Sequence, residues 1–155
     1  KMSELREKIE ESYKLALKKK NEISIRTFRL IKSAIKDKDI SLRTAVSKEV
    51  LGDDGILKLL QSLIKQRNES YDMYKKGGRD LLAEGELSEI EIIKTLLPVQ
   101  MNEKELLALI KTIVKEENVE SIKDMGKIIL ILRSKYSGQV DMSIAGKMAK
   151  DIILK

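Results

Sequence analysis

The sequence predicts an all-α protein of about seven helices, with an N-terminal domain of four helices over residues 1–97 and a C-terminal domain of three over residues 98–155. Three observations carry that prediction. The 155 residues are 42% hydrophobic but only 3% aromatic, so any core must be built from Leu, Ile, Val and Met. Gly 8 and Pro 1 are too few for the turns of an all-β protein, while the dominant Lys, Glu, Leu and Ile suit helix. Apolar residues recur at helical spacing, and Pro98 interrupts that pattern near two thirds of the chain.

The first helix is expected over Ser3 to Lys20, with Leu5, Ile9, Tyr13 and Ala16 or Leu17 on one face. Ser3 is placed to cap it. Glu4, Glu7, Glu10 and Glu11 suit its positive N-terminal end, and Lys18, Lys19 and Lys20 its negative C-terminal end. Met2 reads as the natural start, with Lys1 a remnant. The second helix is expected over Ser24 to Asp37, with Thr27, Phe28, Leu30, Ile31, Ala34 and Ile35 on one half of the wheel. The third starts at Asp53 or Asp54 and runs to Lys76, turning Ile56, Leu57, Leu59, Leu60, Leu63, Ile64, Tyr71 and Tyr74 inward. Gly77-Gly78 ends it, because glycine accepts the left-handed conformation that closes a helix. The fourth starts at Asp80 and ends near Leu96 or Leu97, since proline disfavours helix in the residue before it. Its inward arc contains Leu81, Leu82, Ile90, Ile92, Ile93, Leu96 and Leu97.

Beyond Pro98, Asn102 and Glu105 have the spacing of a capping box for a helix ending near Glu117. Ser121 and Asp124 offer a weaker version for a helix through Tyr136. Gly138 breaks the chain, and Asp141 or Ser143 opens a last helix striped by Ile144, Met148 and Ile152. Ile128 to Leu132 are apolar on every side, which puts their helix at the centre of the C-terminal group. Gly126 weakens a helix interior by about 1 kcal/mol relative to alanine, so a close approach by a neighbouring helix or a ligand is expected there.

Two charges fall on inward arcs: Arg67 on the third helix and Glu89 on the fourth. Neither is tolerable alone in a core. An antiparallel hairpin bending at Gly77-Gly78 would bring them together as a structural ion pair, with a two-bond fork as the favoured geometry and Glu86 as the substitute partner.

The chain contains no His and no Cys, so the commonest general base, the thiolate nucleophile and the usual zinc ligands are missing. No phosphate-cradling glycine motif and no nucleophile elbow occurs. No catalytic residue, metal site or cofactor is therefore expected, and the sequence leans towards a binding module. It also lacks an apolar run long enough to cross a bilayer, and no signal-peptide pattern opens it. A cytoplasmic location with no membrane partner is the resulting expectation.

The formal net charge is +6, and the first fifty residues, with 14 basic and 8 acidic side chains, hold the excess. Arg26, Arg29, Lys32 and Lys36 form a one-sign stripe on the outer face of the second helix. That stripe is the best local candidate for a surface that tracks phosphates. A solvated amphipathic face is the competing reading.

The ordered segments KQRNES, GGR-DL, EI-II, LP-Q, KDMGK and a closing G-x-x-D, running from Lys65 to Asp141, resemble the YqeY family. The opening RTFRLIKSAIKDKDI is similar to that family's N-terminal region, and the C-terminal pattern resembles the tail of the B subunit of glutamine-dependent aspartyl/glutamyl-tRNA amidotransferases. The resemblance implies an N-terminal helical domain followed by a three-helix domain. It also implies association with tRNA or with amidotransferase subunits, and a family label of carbon–nitrogen ligation using glutamine as amide donor. Nothing in this chain supplies the parts for that chemistry, so the expected role is a non-catalytic tRNA-associated module. Accessory action in amide transfer and a protein-interaction domain are the alternatives. The resemblance adds Arg79, Lys123 and Lys127 to the stripe as candidate RNA contacts. Low aromatic content points to recognition of RNA shape and backbone.

Overall fold

The computed structural model describes residues 2–44 and 47–155, so Lys1, read above as a remnant, lies outside the described residues. The described residues form seven α-helices: α1 (Glu4–Lys19), α2 (Glu22–Leu42), α3 (Asp53–Lys76), α4 (Asp80–Lys94), α5 (Glu103–Glu116), α6 (Met125–Lys135) and α7 (Met142–Leu154). Among the described residues there is no strand. The chain divides into two compact units, Lys1–Leu97 and Pro98–Lys155, each with its own apolar core.

In the first unit, Ser3 caps α1 by accepting a hydrogen bond from the Arg6 N–H at 3.3 Å. Lys20 closes that helix in the left-handed region, at φ 57, where its N–H reaches the Leu17 carbonyl. Asn21 then caps α2 through its side-chain oxygen, which accepts from Ser24 N–H at 3.1 Å. With Asn21 as the cap, α2 begins at Glu22, and it continues to Leu42 rather than stopping near Asp37. The extra length has a cause: Asp39, one turn beyond the buried Ile35, finds a partner on α1 and keeps the last turns against the core.

α3 and α4 form an antiparallel hairpin. Gly78, at φ 70, occupies the left-handed position, and the Arg79 N–H returns to the Tyr74 carbonyl at 2.8 Å. Ile9 and Ala16 of α1 pack with Phe28, Ile31 and Ile35 of α2, Ile56 and Leu60 of α3, and Ile93, Leu96 and Leu97. Burying each such Ile or Leu stabilises the unit by roughly 1.5–3 kcal/mol. Thr27 is also fully buried, its hydroxyl satisfied by the Ile23 carbonyl at 2.8 Å. Three expected core residues are outside: Leu30, at the edge of the apolar half of α2, is 44% exposed, and on α4 Leu81 is 85% exposed and Leu82 is also exposed. Ala83 takes the inward position instead, because Leu81 lies opposite Ile90 on the helix and Leu82 sits at the edge of the arc beside the bend.

In the second unit, Asn102 caps α5 by accepting from Glu105 N–H at 2.8 Å, and Leu106, Ile110 and Ile113 face inward. The Gln100 amide donates to the Gly138 carbonyl, and Met101 N–H donates to the Gln139 carbonyl at 2.9 Å, tying the segment that enters α5 to the turn before α7. Asp141 caps α7, accepting from Ser143 N–H at 2.9 Å and Ile144 N–H at 3.3 Å. Alanines, not the expected large residues, lie at the centre of that helix: Ala145 and Ala149 are fully buried, while Ile144, Met148 and Ile152 pack around them. Small side chains let α7 approach its neighbours closely.

Three further expectations give way here. Ser121 makes no side-chain cap. Residues Ile122–Asp124 form a short 3-10 turn, and Asp124 reaches back to the Glu120 N–H at 3.2 Å, so α6 begins only at Met125. α6 is not enclosed on all sides, since it buries Ile128 and Leu132 while Leu130 is 68% exposed. A Cβ at Gly126 would meet nothing within 4 Å, so no neighbouring helix approaches closely at that position.

Candidate nucleic-acid interface

The cationic stripe on α2 follows from helical phase. Residues inward of it, Thr27, Phe28, Ile31 and Ile35, anchor the helix to the core and leave Arg26, Arg29, Lys32 and Lys36 on the outer side. The stripe is less uniform than its sequence implies, because acidic partners come from other helices. Lys32 Nζ lies 2.8 Å from Glu10 Oε1 of α1 and 4.4 Å from the centre of the Tyr13 ring. Arg26 Nε lies 3.5 Å from Glu89 Oε1 of α4, although the Arg26 side chain remains 63% exposed. Arg29 Nε donates to the Tyr13 hydroxyl at 3.1 Å. Among the described residues no ion pair engages Arg29 or Lys36.

Arg67 and Glu89 do meet. Arg67 Nε donates to Glu89 Oε2 at 3.1 Å, and both side chains are only 13% exposed. The contact is not the two-bond fork expected. Arg67 Nη1 instead donates to the Leu63 carbonyl one turn earlier at 3.1 Å, and the other Glu89 oxygen faces Arg26. One carboxylate thus serves arginines from two helices and ties α2, α3 and α4 together.

Arg79 stands at the hairpin bend as the residue before α4. Its side chain caps nothing and is exposed, and the adjacent Asp80 pairs with Lys75 at 3.3 Å. Lys123 and Lys127 belong to the second unit. Lys123 is exposed in the 3-10 turn, and Lys127 Nζ is 3.9 Å from Asp124. The candidate cations are therefore spread over α2, the hairpin bend and the second unit, and only those on α2 lie along one helix.

Another charged constellation is absent from the sequence reading. Arg6 of α1 forks onto Asp39 of α2, with Nη1 to Oδ2 at 3.0 Å and Nη2 to Oδ1 at 2.8 Å. Asp39 also accepts the Leu51 N–H at 2.7 Å, and Arg6 donates to the Leu51 carbonyl at 2.8 Å. The Arg6 guanidinium, joined by the Leu51 N–H and by the charge of Arg43, holds the Asp39 carboxyl below the usual carboxylate range against the opposing effect of burial. A depressed folded-state value means that this stabilisation is present above the unfolded carboxylate's range, near pH 4, and is lost as pH falls through the folded value. Asp39→Asn is accordingly expected to cost about 1–2 kcal/mol at pH 7, a difference that shrinks as pH drops below about 4. Urea unfolding followed at α2 amide resonances across that range measures it; a gap independent of pH would rule out the charged clasp as its source.

What this surface offers chemically is fixed positive charge. Among the described residues no group of three or more Asp or Glu side chains is placed to hold a metal ion, and no helix is long and apolar enough to cross a membrane. No curated protein matches the chain. The sequence pattern of the family described as Yqey-like protein, by contrast, matches residues 6–153, taking in both units from α1 through α7. The chain belongs to the YqeY family.

Proposed function

We propose that the chain is a non-catalytic RNA-binding module, with tRNA as the RNA class, that engages the sugar–phosphate backbone through the outer face of α2. The observation that carries this reading is the pair of cations, Arg29 and Lys36, that among the described residues form no ion pair, on a helix otherwise anchored to the core. Arg26 supports them as an exposed, loosely held guanidinium, and Lys32 has its charge offset by Glu10. Arg79, Lys123 and Lys127 act as secondary backbone contacts.

Phosphate contacts release counterions, so affinity falls with salt. Total tRNA is expected to bind at low ionic strength and to weaken on the order of tenfold between about 50 and 200 mM salt. Arg29→Glu combined with Lys36→Glu is expected to lower affinity by at least about tenfold, with helicity unchanged. Filter binding or anisotropy reads both effects. Undetectable binding at low salt, or indifference to the double reversal, would sink the proposal.

A further inference from the structure

An open groove of about 590 Å³ lies on the outer face of α2 and is lined by α2 residues together with Leu17 of α1. Its lining combines three kinds of chemistry. Leu17, Ile25 and Leu30 give it an apolar floor, Arg26 and Arg29 line it with guanidinium side chains, and Glu22 adds a single carboxylate. Leu17 and Leu30 are 42% and 44% exposed, so the floor is open to an incoming group.

This inference rests on the RNA reading above and narrows it: we infer that the groove seats one unstacked nucleotide of a single-stranded RNA segment. The groove is shallow and open to water, so it covers one face of a heterocycle and does not enclose it, and one nucleotide is the unit whose base and phosphate match its mixed lining. A base covers the leucines that a phosphate chain alone would leave wet. Guanidinium planes stack on bases and also pair with phosphates, so the two arginines serve either end of the nucleotide. Arg29 is held by the Tyr13 hydroxyl at 3.1 Å, while Arg26, 3.5 Å from Glu89 and largely exposed, is free to turn towards an incoming group. Glu22 sets the direction: its charge repels phosphate and accepts hydrogen bonds from an amino group on a base edge.

A duplex keeps its bases stacked and paired, so it contacts the cations of α2 without filling the groove. Cytosine carries an amino donor where uracil carries a keto acceptor, and their ring N3 differs as well, so only the part of the difference that Glu22→Gln removes is assigned to Glu22.

The test uses the full chain with fluorescent cytidine and uridine oligomers of about eight nucleotides and a blunt RNA duplex of equal phosphate number. The cytidine oligomer is expected to bind about fivefold more tightly than either the uridine oligomer or the duplex. Leu30→Ser, and separately Leu17→Ser, are expected to weaken the cytidine oligomer about fivefold while leaving the duplex within about twofold. Glu22→Gln is expected to narrow the difference between cytidine and uridine. Equal binding of single strand and duplex, with the leucine variants inert, overturns the groove assignment and leaves the backbone-binding reading standing. A change in sedimentation mass on Leu30→Ser assigns the groove to a protein partner and overturns it as well. Failure of the wild-type chain to bind any RNA removes both proposals.

Discussion

Glu89→Ala is expected to lower the stability of the first unit by about 2–3 kcal/mol. Removing the carboxylate leaves Arg67, 13% exposed, with its Nε unsatisfied and a second guanidinium, Arg26, on the same side. Water has limited access, so the lost charge-assisted hydrogen bond is not simply replaced. Arg67 keeps its bond to the Leu63 carbonyl, which limits the loss. Glu89→Gln, which retains an oxygen acceptor, is expected to cost about half as much. Hydrogen exchange at the Leu60 and Ile93 amides reports the unit's global opening. In a double-mutant cycle, Arg67→Ala is expected to cost at least about 1 kcal/mol less when Glu89 is already alanine. A total effect below about 0.5 kcal/mol would reclassify the cluster as a solvated surface pair.

Leu132→Ala is expected to have a still larger structural consequence. Leu132 is fully buried, together with Ile110 and Ile128, in a unit that spans only Pro98–Lys155. Emptying such a position costs about 2–5 kcal/mol, through lost burial and the cavity left behind. A core in a unit this small rarely supplies more than about 3–5 kcal/mol in total. The substitution is therefore expected to unfold the second unit substantially at 25 °C. In an amide NMR spectrum, resonances of residues 98–155 collapse towards random-coil positions while those of α1 to α4 stay dispersed. Retention of dispersed α5 to α7 signals would show that α7 and its alanines close over the gap.

Helical phase made much of this molecule legible, and its failures are instructive. Arg67 and Glu89 stood out because each is a charge among inward-facing apolar residues. Arg6 and Asp39 carry the same signal, one turn before Ile9 and one turn after Ile35. They were hidden because the charged run Asp37-Lys38-Asp39 reads as a solvated helix end, and because part of the clasp is the backbone of Leu51. A cap reveals its backbone partner by fixed spacing, but no side-chain pattern encodes one twelve residues away on a following loop. The sharing of Glu89 with Arg26 depends on how α2 crosses α4, which is a tertiary fact with no local signature. Leu81, Leu82 and Leu130 misled for a different reason: apolar character alone marks a core candidate, whereas position on the wheel and the presence of a covering helix decide burial. The groove lined by Leu17 and Leu30 was invisible for the same reason, since it needs residues from two helices at once.

Glu89 has two partners of unequal standing, one enclosed and one open to water. That inequality orders the changes the chain can accept over time. Position 26 can drift first, because replacing a largely solvated arginine forfeits little and leaves the enclosed pair satisfied. Positions 67 and 89 have less freedom, since each is enclosed and loses its nearest charged partner when the other is replaced. A route to an uncharged hairpin has to alter both together, or pass through an intermediate close to the limit of folding. Relatives that keep arginine at position 67 are accordingly expected to keep a hydrogen-bond acceptor at position 89, whatever stands at position 26.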